Sequence, residues 1–347
     1  MSNEIVEIDG SFGEDEDQIL RASCALSAVT KTPCHIFNIR TGKPGPGLTT
    51  QKLLEIEAIS RFCNAEVEGD FLRSEEIKFY PKEIQNRDFH IKVEAAGSIT
   101  LLAQLLILPA ISSPLENPKP IKIIFDGGAT DTFFSPTIDY FQNVFLKILE
   151  KINGKVELNI LKRGYYPEGG SKVEMKIFPQ RLKNLKLIER GKLQKIRIIS
   201  GASEFLKEKM VAERQIAGIR EILGELKLPL EEKVEYYQTQ CPGSQICLIA
   251  EFENTVIGAD NLGKLGKRAE DVGKEAAIEF LKEAKSEACL DKQQASQILP
   301  YLALNKNKSS FTVSEATGHC KTNVWITEKF IKGKFTIQNN LILWNPF

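Results

Sequence analysis

A chain of 347 residues, 42% apolar and 27% charged, has the composition of a globular protein and exceeds one ordinary core, so two domains or one domain with an insertion are expected. Its 46 Lys and Arg balance 46 Asp and Glu. That neutrality argues against broad duplex binding, which needs many phosphate contacts, but leaves room for local cations that grip a few nucleotides. The acidic start MSNEIVEIDG lacks the features of a signal peptide, and the apolar run at 99–111 is too short to span a bilayer and is broken by Gln104 and Pro109. Seven cysteines show neither CxxC nor zinc spacing, and several, Cys24 and Cys63 among them, lie in apolar helical segments and read as small core residues. No membrane partner and a reduced, cytoplasmic location are therefore expected.

Along the chain, a strand, a glycine-containing loop and a helix recur. EIVEIDG leads to DQILRASCALSAV, FHIKVEAAG to SITLLAQLLIL, and SFTVSEATG to NVWITEKFI. In each, an acid (Asp9, Glu94, Glu315) stands at most three positions before a glycine (Gly10, Gly97, Gly318). After the first helix come a strand at His35–Ile39, a helix near Thr49–Cys63 and two short strands, AEVEG and EIKFY. The second copy continues with strand IKIIFDGG, a helix near Pro136–Lys151, and strands KVELNILKR and SKVEMKIF. Leu53, Ile56, Ile59 and Phe62 keep helical spacing, and Val156, Leu158 and Ile160 alternate as in a strand. The pattern predicts an α/β fold of the α+β type. Three repeats of about 80–90 residues, each two helices on a four-stranded sheet, pack through their helices.

The third copy is interrupted. From about Leu187 the order is strand (LQKIRIIS), helix (Ala202 to Glu225), strand (KVEYYQT) and strand (SQICLIAEFE), with the turn CPGSQ suggesting a hairpin between the last two. This reads as a smaller α/β domain inserted at 185–274, with 1–184 and 275–347 forming the repeat-built catalytic domain. The Lys/Glu-rich helix AEDVGKEAAIEFLKEA would return the chain to the main body. Within this stretch GADNLGKL (258–265) nearly matches a phosphate-binding P-loop, but Leu265 stands where a magnesium-binding hydroxyl is required, so an exposed linker is expected.

Four segments have compositions suited to chemistry. DGSFGEDEDQILR (9–21) places five acids before a helix, where Asp15 or Asp17 could cap it and one acid could hold a divalent metal. NIRTGKPGPGLTTQ (38–51) sets Arg40 and Lys43 among glycines and prolines, as either a phosphate-binding loop or a solvated turn. In KRGYYPEGGSK (162–172), Tyr165 and Tyr166 could stack bases or pack at a strand end. SEATGHCKTN (314–323) carries His319 in a polar loop between a strand (Phe311–Ser314) and a helix expected from Asn323. With only His35, His90 and His319 in the chain, a catalytic His319 would act singly, as a nucleophile or as an acid/base.

Together, DGSFGEDEDQILR, IRTGKPGPGL, AGSITLLAQ, RGYYPEGG and GHCKTN resemble the RNA 3′-terminal phosphate cyclase family, over essentially the whole chain. Arg163, Gly164, Pro167, Gly169 and Gly170 fit the family's pattern around the fourth motif. The resemblance implies the three-repeat architecture with an inserted domain. It also implies an ATP-dependent conversion of an RNA 3′-terminal phosphate to a 2′,3′-cyclic phosphate, through enzyme-histidine-AMP and RNA-adenylate intermediates. By position, His319 would be the nucleophile, and Glu14 would lie near the triphosphate and a divalent metal, Mg or Mn. Arg21, Arg40 and Lys43 would offset phosphate charge; Gln51, Gln104 and Gln297 would hydrogen-bond nucleotide or phosphate. The chain departs from the usual pattern at Asp15, Glu16 and Asp17, where glycines are common, and at Ser171, Gln293 and Ser296. Those departures bear on nucleotide affinity and base preference. Two other readings are a non-catalytic cyclase-like factor in RNA processing or ribosome assembly, and an enolpyruvyl-type transferase. The oligomeric state is left open, a dimer included.

Overall fold

The structure is a computed structural model; it describes residues 5–13, 16–113, 119–224 and 230–347, with the side chain of Glu16 also outside the description. In the first unit, β1 (Val6–Asp9), α1 (Glu16–Thr30), β2 (Cys34–Phe37), α2 (Thr50–Cys63), β3 (Glu66–Glu68) and β4 (Ile77–Tyr80) form a sheet of order β1-β2-β4-β3. The β1–β2 pair is parallel and the others are antiparallel. The second unit repeats that plan. It comprises β5 (Phe89–Ser98), α3 (Ile99–Ile111), β6 (Ile121–Ala129), α4 (Ile138–Tyr140), a π-helical turn (Phe141–Phe145), α5 (Leu146–Lys151), β7 (Lys155–Lys162) and β8 (Lys172–Phe178), in order β5-β6-β8-β7.

The third unit starts with β9 (Lys186–Leu187) and is then interrupted. The insertion comprises β10 (Leu193–Ser203), a 3-10 turn (Glu204–Lys209), α6 (Val211–Leu223), β11 (Leu230–Tyr237), β12 (Ser244–Phe252), β13 (Val256–Leu262) and α7 (Ala269–Lys285). The third unit resumes with α8 (Lys292–Ala303), β14 (Ser309–Thr312), α9 (Gly318–Phe330), β15 (Gly333–Gln338) and β16 (Leu341–Pro346), giving the order β9-β14-β16-β15. The same parallel-then-antiparallel plan thus occurs three times.

The helices explain how the units join. In α3 the run ITLLAQLLILPAI buries eleven of its thirteen residues, which only a helix packed on all sides can do. It meets α1 and α2; α1 also meets α9, and α5 meets α8. One hydrophobic core consequently runs from Ile8 and Leu26 through Leu105 and Phe145 to Leu299 and Ile326. The seven cysteines are free and buried.

Three boundaries differ from the sequence reading. The helix α7 packs along α6, and its Val272, Ala276, Ala277 and Phe280 belong to a second core with Ile196, Ile216 and Leu248. A boundary at 274 would cut that helix, and Lys186–Leu187 pair with β14 in the main body. Gly218 and Gly273 let the two helices touch backbone to backbone: a Cβ on Gly273 would lie 1.9 Å from the Gln215 carbonyl oxygen. Second, β11 and β12 are not a hairpin, because β10 lies between them in the order β11-β10-β12-β13. The crossover through α6 makes β10 and β11 parallel neighbours. Third, Ala202 is still in β10, paired with Ser244 and Tyr236, and α6 begins only after Met210 takes a left-handed conformation (φ 48°).

Candidate active site

His319 lies in the first turn of α9, four residues earlier than the predicted helix start. Thr317 is extended and caps the helix, its side chain accepting from the Cys320 N–H, so the turn closes around Gly318 and His319. The Nδ1 of His319 is 2.9 Å from Gln18 Oε1 on α1. Its neighbour Cys320 is buried and points away from a reactive role, since burial pushes its thiol up to about 12. The other histidines serve the sheets: His35 sits between Glu7 and Glu76, and His90 is 3.4 Å from Asp126.

A cavity of about 450 Å³ opens beside His319. Its wall includes Gln18 and Arg21 from the first unit, Gln104 and Pro136 from the second, and Gln297 and Asn323 from the third. On three of its lining residues, Gln104 Nε2, Gln297 Oε1 and Asn323 Oδ1 are buried without a hydrogen-bond partner among the described residues. An unmet amide donor and two unmet acceptors on residues around one cavity are costly in a folded protein and favour a polar partner at this place.

The N-terminal loop is drawn to the same place. Phe12 stacks on Trp325 of α9, with ring centroids 4.0 Å apart and planes 14° from parallel. Gly13 passes so close to α9 that a Cβ would lie 2.7 Å from Thr322 Oγ1, at a φ of +75°. Glu14, the expected metal ligand, and Asp15 lie outside the described residues. Among the described residues no group of three His, Cys, Asp or Glu is disposed to hold a metal.

A second cavity of about 890 Å³ adjoins the first and includes Arg40, Gln51 and Lys92. Arg40 holds a left-handed backbone (φ 55°), and its guanidinium binds both oxygens of Asp17 at 2.7 and 2.9 Å. One of the three acids that replace the usual glycines is thereby neutralised. Gln51 spans two units, donating to Glu55 and accepting from the Ser98 N–H, each at 3.0 Å. Lys43 lies on the exposed loop and lines neither cavity.

Several residues that build the site escape a sequence reading. Lys52 is buried, its ammonium donating to the Asp17 carbonyl at 2.7 Å and to Glu55 at 3.1 Å. Glu55 also lies 3.6 Å from Arg21, so one buried carboxylate ties Lys52, Arg21 and Gln51 together. Burial lowers the Lys52 pKa from its ordinary value, with Glu55 opposing the shift. Gln18 gives no signal in sequence beyond standing one turn before Arg21. Gln293 lines the first cavity, and Ser296 accepts at its carbonyl from Asn323 Nδ2 at 2.6 Å.

The RGYYPEGG segment has a structural task. Arg163 is buried, with bonds to Asp139 at 2.5 and 2.9 Å and to Asp131 at 3.2 Å, beneath the Tyr237 ring. Tyr165 is buried and donates to Gln245 Oε1, whose amide donates to Asp139. The two cores meet across this network. Burial raises the Asp131 pKa to about 6, against the attraction of Arg163. Only Tyr166 of the pair is exposed, with its ring edge-on to Phe133 at 5.9 Å. The near-P-loop is not one, because Val256–Leu262 is strand β13 and Gly258 N–H donates to Asp291.

Comparison with known proteins decides the family. The RNA 3'-terminal phosphate cyclase profile matches residues 12–337. The chain belongs to that family. It is 39% identical over 338 residues to a Pyrococcus abyssi protein named RNA 3'-terminal phosphate cyclase, covering 97% of this chain and 96% of the relative. A protein of the same name from Sulfurisphaera tokodaii is 40% identical over 330 residues, 94% of each chain. One from Pyrococcus furiosus is 41% identical over 335 residues, 96% of this chain and 95% of the relative. No described helix is long and apolar enough to cross a membrane.

Proposed function

We propose that this cyclase-family chain converts an RNA 3′-terminal phosphate to a 2′,3′-cyclic phosphate at the expense of ATP, with His319 as the nucleophile. The observation that carries the reading is the cavity that joins His319 to Arg21, Gln104 and Gln297 and is bordered by residues with unmet amide groups. Gln104 Nε2 can donate and Gln297 Oε1 can accept, which suits the edges of a base or the hydroxyls of a ribose. Arg21 suits a phosphate. The set therefore fits a nucleotide.

The Gln18 contact favours one tautomer. When Nδ1–H donates to Gln18 Oε1, the imidazole lone pair lies on Nε2. Nε2 then attacks the α-phosphorus of ATP, a nitrogen–phosphorus bond forms, and the bond to the bridging oxygen breaks to release pyrophosphate. The N-terminus of α9 adjoins His319 and favours the negative charge on the phosphoryl oxygens. An oxygen of the RNA 3′-phosphate next attacks the same phosphorus, breaking the nitrogen–phosphorus bond and restoring histidine. The neighbouring ribose 2′-oxygen then loses its proton and attacks the activated 3′-phosphorus, expelling AMP. The vicinal hydroxyl is already held near its target, so this step has little entropy to overcome. A divalent metal, Mg or Mn, would offset charge on the triphosphate, with Glu14 its expected ligand. A cytoplasmic setting accords with seven buried free thiols.

The test is incubation with α-phosphate-labelled ATP and Mg²⁺ or Mn²⁺ without RNA, for wild type and His319→Ala. Wild type is expected to carry acid-labile label that survives denaturing electrophoresis, and the variant none. Folded wild type that takes no label with either metal would refute the covalent route and favour a non-catalytic RNA-processing role.

A further inference from the structure

We propose that the groove between the main body and the inserted unit holds the single-stranded segment immediately upstream of the RNA's terminal phosphate. This rests on the cyclase reading, and it assigns the insertion a role in substrate binding.

The geometry is a continuous track. The cavity beside His319 shares Arg21, Leu101 and Phe134 with the second cavity. That cavity shares Thr132, Phe133, Tyr166 and Pro167 with a third, of about 660 Å³, whose far wall belongs to the insertion. Rings crowd the middle of the track. Phe134 is fully exposed in a left-handed conformation (φ 62°), while Phe133 is 39% and Tyr166 57% exposed. An exposed, bulky side chain on a strained backbone costs stability twice, once in hydration and once in conformation. Such a position points to a function, and unpaired bases stack on aromatic faces.

The far wall is cationic. Lys209, Arg214, Lys264, Lys267 and Arg268 line it. Lys267 pairs with Glu275, and Arg214 and Arg268 share Glu270. Lys209 and Lys264 are exposed and enter no ion pair with the described residues, which leaves two cations for phosphates. The one carboxylate among the described residues lining that cavity, Asp131 on the main-body side, is already bound to Arg163 and Thr130. Leu265, fully exposed between Lys264 and Gly266, extends the apolar face. Lys264 belongs to the segment that failed as a P-loop; it instead lines a groove that leads to His319. Rings near the site and free cations farther off match a strand whose terminal bases are splayed and whose upstream phosphates follow the groove.

The test uses the full chain and 5′-labelled, 3′-phosphorylated RNAs of two and ten nucleotides, with binding read by fluorescence anisotropy between 50 and 200 mM salt. Removing two phosphate contacts in Lys209→Ala/Lys264→Ala should reduce the slope of log affinity against log salt for the ten-mer by about 1.4. The dinucleotide should bind unchanged, and labelling by ATP without RNA should persist. Tyr166→Ala should weaken the ten-mer at least about fivefold, with Tyr166→Phe binding like wild type. An unchanged slope overturns the proposal, as does equal loss for both RNAs, or equal binding of a duplex with a recessed 3′-phosphate. If wild type takes no label from ATP but the ten-mer still depends on both lysines, the adenylation reading fails and the RNA track stands. If labelling and cyclisation proceed while both variants match wild type, the track alone fails.

Discussion

Removal of the Glu55 carboxylate is the most informative perturbation of the site's framework. In Glu55→Ala, Lys52 loses its only carboxylate partner among the described residues while its ammonium stays buried and near Arg21. Breaking a buried pair in this way costs about 3–5 kcal/mol, because one charge is left without compensation. At about 2.1 cal/mol/K per residue, unfolding 347 residues carries an entropy of about 0.7 kcal/mol/K. The melting temperature should therefore fall by about 4–7 °C in a thermal melt at neutral pH. A second substitution separates charge from cavity. Lys52→Met in the Glu55→Ala background removes the stranded ammonium and should recover about half or more of the loss, since apolar replacement of a buried pair is often neutral. A Glu55→Ala melt within 1 °C of wild type would refute the reasoning. Full loss that Lys52→Met does not relieve would do so as well, assigning the effect to lost packing around Arg21 and Gln51.

Two further outcomes follow from contacts at the site and at the junction of the cores. Gln18→Ala removes the acceptor beside His319 Nδ1 and should slow labelling by ATP about 10- to 100-fold without moving the melt, while Gln18→Glu, which keeps an acceptor, should retain most of the rate. Asp131 has its pKa raised by burial from 3.8 to about 6, so the folded protein binds a proton between those values that the unfolded chain does not. Its contribution is largest below about pH 4 and is lost as pH rises towards 6. The stability difference between wild type and Asp131→Asn, from urea melts, should therefore shrink from pH 4 to pH 7; a constant difference would contradict the assignment.

The repeats were legible because each begins with an alternating strand, a glycine and an apolar-periodic helix, and those periods survive in any environment. The inserted unit was less so. An amphipathic helix such as α7 has the same pattern whether it covers one core or the other, and only the close approach of Gly218 and Gly273 reveals which. The turn CPGSQ carries hairpin chemistry, yet the strand it was expected to pair with had already been displaced by β10. At the site, the motifs that carry the family resemblance led to His319, Arg21, Gln104 and Gln297, which the fold brings to one cavity. Lys52 and Glu55 were missed because charged residues at helical spacing read as a solvated face, and their burial depends on a neighbour 35 residues away. For Tyr165, stacking stood open beside packing at a strand end, the commoner case; its bond to Gln245, 80 residues on, decided for packing.

The cavity beside His319 takes walls from all three repeats, with Gln18 and Arg21 from the first, Gln104 from the second and Gln297 from the third. Among the described residues, that cavity is complete only when all three repeats are in place. A ligand held there is in effect a clamp across the assembled molecule: at a hundredfold excess over its dissociation constant it adds about 2.7 kcal/mol against separation of the units. Occupancy of that cavity and integrity of the fold would thus be one equilibrium, and a chain whose third repeat has yet to close behind its insertion lacks the wall that Gln297 and Asn323 supply.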